Sequence, residues 1–109
     1  NLAELGTALQ EDARPIVLVV DNSNYGTIRM HQELRHPGRV VGTDLVNPDF
    51  VAIAGAYGMH AEQARTTADF APAFERAMAS TTGALLHLLV ATEQLTPRLT
   101  VDQARSGVT

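Results

Sequence analysis

Asp21-Asn22-Ser23-Asn24, followed by Tyr25-Gly26, is the stretch whose residue types and spacing can do chemistry. Asn22 offers a side-chain oxygen, and a turn through Ser23-Asn24 can aim backbone carbonyls the same way. Hard oxygen donors of this kind suit Mg²⁺, which keeps several waters and commonly binds substrate phosphates as well. One amide and one carbonyl fill only part of a six-coordinate shell, so a carboxylate is also needed. Asp21 can supply it only if its side chain emerges beside that of Asn22. Successive strand residues face opposite ways, a constraint that a turn relaxes. Taken alone, the residues favour a plainer role, because Asp, Asn and Ser end strands and start helices through local hydrogen bonds.

Other reactive side chains are weaker candidates. Ser23 has no base beside it in sequence, so nucleophilic catalysis lacks support. His31 sits on the segment after the tip, His36 precedes Pro37, His60 falls in an alternating stretch, and His87 interrupts an apolar run where it needs a hydrogen-bond partner. None is assigned to chemistry. Arg29 and Gln32 are placed to meet a substrate carboxylate, for which Arg is suited. An ion pair of Arg29 with Glu33 or Asp44 is the simpler expectation.

The elements that must position the tip follow from periodicity. Ile16-Val17-Leu18-Val19-Val20, introduced by Pro15, reads as a strand covered on both faces and therefore central in its sheet. Leu2, Leu5 and Leu9 give helical spacing before it. Tyr25, Ile28, Gln32 and Leu34 fit a helix of about three turns after it, ending before His36-Pro37-Gly38. Residues 36 to 47 read as an irregular loop, with Val40-Val41 dipping into the core. Asn47 is the expected N-cap, with Pro48 in the first turn, of a helix carrying Phe50, Ile53, Ala54 and Tyr57 on one face and stopping at Gly58. Residues 59 to 64 alternate as a minor edge strand. Thr66, Thr67 and Asp69 mark another helix start, with Phe70, Phe74, Ala77 and Met78 as its apolar stripe and Pro72 in the first turn. Ala84 to Val90 is the last central strand, and residues 92–109 read as a surface tail.

The order α-β-α-α-(β)-α-β, without hairpin signals, predicts an α/β three-layer sandwich with a parallel sheet and crossover helices. So few strands leave sheet edges unpaired, and neighbours upstream in a longer parent chain would supply the missing partners. The start at Asn1, inside a helical pattern, agrees with that expectation.

Composition narrows the function classes. The chain has 109 residues, 45% of them hydrophobic, enough for one domain with a core. Its basic residues are all Arg, and a net charge of −4 without a basic block argues against nucleic acid as a partner. No apolar run approaches the roughly 18 residues that span a bilayer, so no membrane partner is expected. The absence of Cys excludes disulfides and thiolate chemistry and is compatible with a cytoplasmic protein.

Asp21-Asn22-Ser23-Asn24-Tyr25-Gly26-Thr27-Ile28-Arg29 resembles the second half of the diphosphate-binding motif of thiamine-diphosphate-dependent enzymes, which begins at Gly-Asp-Gly and closes at paired asparagines. The flanks agree. Leu2-Ala3-Glu4-Leu5-Gly6-Thr7-Ala8 resembles the helix after Gly-Asp-Gly, and Asn47-Pro48-Asp49-Phe50 through Ala56-Tyr57-Gly58 resembles the family's next helix. Phe70-Ala71-Pro72-Ala73-Phe74 and the strand Leu85 to Val90 complete a match over nearly the whole chain. The acetolactate synthase and benzoylformate decarboxylase branch is the nearest comparison.

The resemblance implies an incomplete thiamine-diphosphate-binding domain over residues 1–91. It implies thiamine diphosphate and Mg²⁺ as cofactors, with Asn22 giving its side-chain oxygen and Asn24 its backbone carbonyl to the metal. Tyr25 and Gly26 would shape the turn against the cofactor, although plain packing serves equally for Tyr25. Ile28 would line a substrate pocket. Asp21 departs from the family's asparagine, which leaves its local hydrogen bonding open. No catalytic residue is expected in this chain: the Gly-Asp-Gly aspartate would lie before Asn1, and the glutamate that activates the cofactor belongs to another domain, usually of a partner subunit. The implied whole is a lyase or transferase that decarboxylates a 2-oxo acid or joins the resulting unit to a second carbonyl, working as a homodimer or homotetramer. The 109 residues alone are expected to be inactive and to bind the cofactor weakly. The competing class is a non-catalytic α/β binding or assembly module that keeps the scaffold without the site.

Overall fold

The structure, a computed structural model, describes residues 2–107. The elements run α1 (Glu4–Gln10), β1 (Ile16–Asp21), α2 (Gly26–Arg35), α3 (Phe50–Ala56), β2 (His60–Ala64), α4 (Thr67–Ala79), β3 (Ala84–Leu89), β4 (Gln94–Thr96), β5 (Leu99–Thr100) and α5 (Val101–Ser106). They fall into two compact units. The first holds the chain up to Asp21 with Pro48–Leu89, and the second holds Asn22–Asn47 with the chain from Val90 onward.

In the first unit β1, β3 and β2 form a parallel sheet in that order. Strand periodicity sends Leu85 and Leu86 of β3 to opposite faces, and both are fully buried. On one face Leu85 packs with Leu5 of α1 and Ala54 of α3, joined by Met59, Val17, Val19 and Ala61. On the other, Ala84 and Leu86 meet Ala73 and Ala77 of α4, whose small side chains let the helix approach closely. The result is the expected three-layer α/β arrangement, with helices on both faces of a parallel sheet.

Several local expectations change. The central strand is β3, and β1 lies at an edge. Its apolar run covers both faces in type but not in place: α4 packs over β2 and β3, so Leu18 and Val20 stay 44% and 67% exposed. The alternating stretch does form the other edge strand, β2. Asp49, not Asn47, caps α3, its carboxylate accepting from Ala52 N at 2.9 Å. Thr66 and Asp69 make the full capping box of α4, but Pro72 is the sixth helical residue rather than a first-turn one. The helix runs through it to Ala79 without the bond that Pro cannot donate.

The second unit contains α2, the loop after it, an antiparallel β4-β5 pair and α5. The loop buries Thr43 instead of Val41, which is 77% exposed. Residues 92–109, read from sequence as a tail, contain three of these elements. Thr100 and Gln103 form a capping box for α5, whose Val101 and Ala104 are each 2% exposed. Among the described residues no helix is long and apolar enough to cross a membrane.

Candidate functional site

The five residues singled out at the strand tip, Asn22, Asn24, Tyr25, Gly26 and Ile28, all lie in the second unit, and the structure brings them together. The turn is held by Asn22, whose Oδ1 accepts from Asn24 N at 3.1 Å. Ser23 between them takes the left-handed region at φ 53°, uncommon for a residue with a side chain. Asn22 is anchored through its backbone carbonyl, which accepts from Thr92 Oγ1 at 3.0 Å. On the far side, Tyr25 N donates to Thr43 O at 2.8 Å and Leu45 N to Ser23 O at 2.9 Å, so the tip pairs with the loop through an Asn24–Asp44 bridge.

Asn24 is 7% exposed. Its Nδ2 donates to Asp44 Oδ1 at 3.5 Å, whereas its Oδ1 and the Thr43 hydroxyl are buried with no hydrogen-bond partner among the described residues. Buried polar atoms of this kind are costly to leave unpaired. The loop contribution of Thr43, Asp44 and Thr92 carries no periodic signal in the sequence.

Helix α2 starts here. Tyr25 stands at its N-cap without a side-chain cap, and its first turn holds no acidic residue. Backbone N–H groups at such an end have no intrahelical partner and favour an anion. Asn24, Tyr25, Gly26, Thr27 and Ile28 line an open groove of about 320 Å³. Tyr25 and Ile28 are each 52% exposed, so neither is a core residue. Gly26 lies close to the Asn22 amide: a Cβ there would stand 3.0 Å from Asn22 Nδ2, and the amide would have to give by a few tenths of an ångström. Gly26→Ala is therefore expected to rotate the Asn22 amide and break its bond to Asn24 N, at a cost of about 1 kcal/mol. Loss of protection of the Asn24 amide in hydrogen exchange would report it.

Most of the remaining candidates have protein partners. Arg29 Nε donates to Glu33 Oε1 at 3.1 Å, and Gln32 clamps the loop, its Nε2 donating to Val41 O at 2.9 Å and its Oε1 accepting from Val41 N at 3.3 Å. His60 bonds Glu62, which Arg76 also holds through two bonds. His31 and His36 are exposed. Asp21 turns away from a ligand role: in the first unit its Oδ2 meets His87 Nε2 at 2.8 Å, which is the partner that a buried-strand histidine needs.

Glu33, expected from its spacing as a partner for Arg29, is fully buried. Arg105 of α5 grips it with two bonds of 3.1 and 2.9 Å, and Gly38 N donates to it at 2.9 Å. Arg105, then Gly38, and more weakly Arg29 hold its carboxyl at about 2, against the opposing effect of burial. Among the described residues no group of three or more His, Cys, Asp or Glu could hold a metal. Beside the amide and peptide oxygens, the tip holds the carboxylate of Asp44, which Asn24 Nδ2 meets at 3.5 Å.

Comparison with known proteins gives a family. The model described as "Thiamine pyrophosphate enzyme, C-terminal TPP binding domain" matches residues 1–88. The chain is 28% identical over 96 residues to the acetolactate synthase large subunit of Cyanidium caldarium, covering 86% of this chain and 16% of that protein. It is 30% identical over 91 residues to the acetolactate synthase isozyme 2 large subunit of Escherichia coli K12, covering 83% and 17%. It is 35% identical over 63 residues to the mitochondrial acetolactate synthase catalytic subunit of Aspergillus candidus, covering 58% and 9%. The chain thus spans about a sixth of the length of the first two relatives.

Proposed function

Because the chain belongs to the thiamine pyrophosphate enzymes, within their C-terminal TPP-binding domain, we propose that it anchors the diphosphate of that cofactor through Mg²⁺. Asn22 Oδ1 and the Asn24 backbone carbonyl are two of the metal's ligands in this reading. The observation that carries it is the tip itself: a left-handed residue and an Asx bond hold Asn22 and Asn24 beside the uncapped start of α2. Hard oxygens and free helix N–H groups in one place suit a divalent cation bridged to a diphosphate. The unpartnered Asn24 Oδ1 fits a ligand that approaches this turn.

The donor set lacks a carboxylate, so a charged ligand from the rest of the parent enzyme would be needed beside Asn22 and Asn24 to hold the metal. Residues 1–91 make up part of the cofactor-binding domain, and Tyr25 and Ile28 border the substrate side. The parent enzyme is an acetolactate synthase-like decarboxylase or carboligase of 2-oxo acids, working in the cytoplasm as a homodimer or homotetramer. When bound, the cofactor supplies the carbanion chemistry, while this chain positions it.

The test uses the product of the full reading frame, stripped with chelator and titrated with thiamine pyrophosphate by calorimetry, with and without Mg²⁺. Binding that requires the metal, together with CO₂ release from a 2-oxo acid such as pyruvate, is the expected result. Failure to bind the cofactor in either condition would overturn the reading and favour a non-catalytic module.

A further inference from the structure

At the carboxyl end of the sheet one polar side chain from each strand enters a single row. Gln63 lies on β2, His87 on β3 and Asp21 on β1, and strand alternation puts all three on the face that carries Leu85. Gln63 Nε2 lies 3.2 Å from His87 Nδ1, and His87 Nε2 lies 2.8 Å from Asp21 Oδ2. One tautomer serves both contacts: Gln63 donates to Nδ1, and the proton on Nε2 is donated to the carboxylate. Phe50, the first residue of α3, closes over the imidazole edge-on with ring centroids 5.1 Å apart.

His87 and Asp21 are each 7% exposed. Withdrawn from water, their bond is directional and costly to break, unlike the aliphatic contacts elsewhere on this face. Asp21 is also the last residue of β1, and its peptide bond leads directly to Asn22. A restraint on the Asp21 side chain is therefore a restraint on where the strand ends. The carboxylate that departs from the family's asparagine has a matching donor in His87.

We propose that Gln63, His87 and Asp21 form a positioning relay that fixes the end of β1 and thereby the direction in which Asn22 presents its side-chain oxygen. The proposal rests on Asn22 being a metal ligand. None of the three touches the cofactor; they act through the strand.

The experiment measures the Kd for thiamine pyrophosphate at fixed Mg²⁺, kcat at saturating cofactor and Tm, in the full-length enzyme. His87→Ala is expected to raise Kd about tenfold, in the range seen when groups supporting a metal ligand are lost. Saturating cofactor restores kcat to within about twofold, since the lost interaction concerns binding rather than the reacting atoms. His87→Gln, whose Nε2 reaches the same carboxylate, holds Kd within about threefold of the parent. A merely structural histidine would lower Tm in both variants without this split in Kd, and that result overturns the relay. Should His87→Ala not accumulate, Asp21→Ser and Asp21→Asn make the same comparison, serine losing the acceptor and asparagine keeping it. Weak binding by Asn22→Ala alongside normal binding by His87→Ala refutes the relay alone. Normal binding by Asn22→Ala refutes the ligand assignment beneath it.

Discussion

Asn22→Ala in the full-length enzyme is expected to weaken Mg²⁺-dependent retention of thiamine pyrophosphate by about one to two orders of magnitude, or ~1.4–2.8 kcal/mol. Alanine deletes the side-chain oxygen proposed for the metal and also the acceptor that holds Asn24 N at 3.1 Å, so the second ligand loses its orientation with the first. The fold should survive. Asn22 is only half-buried, and its backbone carbonyl still accepts from Thr92. Asn22→Asp keeps an oxygen for both tasks and should bind within a few-fold of the parent. The measurement is activity at limiting cofactor together with calorimetric Kd. Unchanged activity at limiting cofactor in Asn22→Ala would make the ligand assignment wrong.

Glu33→Ala is the substitution expected to harm stability most. It strips the acceptor from Arg29, Arg105 and Gly38 N at once and leaves a gap in a fully buried position. The two guanidinium groups differ in exposure, 17% for Arg29 and 45% for Arg105, so both regain some water and the loss falls below that of a fully enclosed pair. About 2–3 kcal/mol, or roughly 10 °C in Tm, is expected from thermal unfolding. Glu33→Gln keeps the shape and should lose about half as much. Wild-type unfolding by Glu33→Ala would mean that the cluster contributes nothing.

The same cluster sets an acid dependence. Glu33 ionises at about 2 in the folded chain against an ordinary value of 4.5. A depressed carboxyl stabilises the fold fully above the ordinary value and loses that contribution as pH falls from about 4.5 through about 2. Glu62, held at about 2 by Arg76 and then His60, adds a parallel loss in the other unit. Glu33→Ala should therefore flatten, without abolishing, the decline of Tm between pH 5 and pH 2, since one of these two carboxylates remains.

What the amino acids disclose on their own is mostly local. The alternation of helical and extended patterns, the capping pair Thr66 and Asp69, and the clustering of Asn22 to Ile28 at a strand tip depend on neighbours within a few positions, and all are present in the fold. Long-range pairing is where sequence reasoning stops. Ile16 to Val20 has the composition of a doubly covered strand, but composition does not say which strand sits in the middle. Arg29 and Glu33 are four apart and readable as a pair. Arg105 lies 72 residues from Glu33, and nothing in the spacing announces it. His87 and Asp21 are 66 apart, so the need for a partner was legible while the partner was not. Residues 94–106 are too short and too polar to show periodicity, and they fold through a capping box and two buried side chains.

The free side of β1 has a practical consequence. Among the described residues this strand has one sheet neighbour, and its Leu18 and Val20 are exposed. A sheet edge flanked by exposed aliphatic carbon is adhesive, because another extended chain can zip onto it. Preparations of the 109-residue polypeptide alone will scatter light increasingly as they are concentrated, and a charged side chain at position 20 will keep them clear.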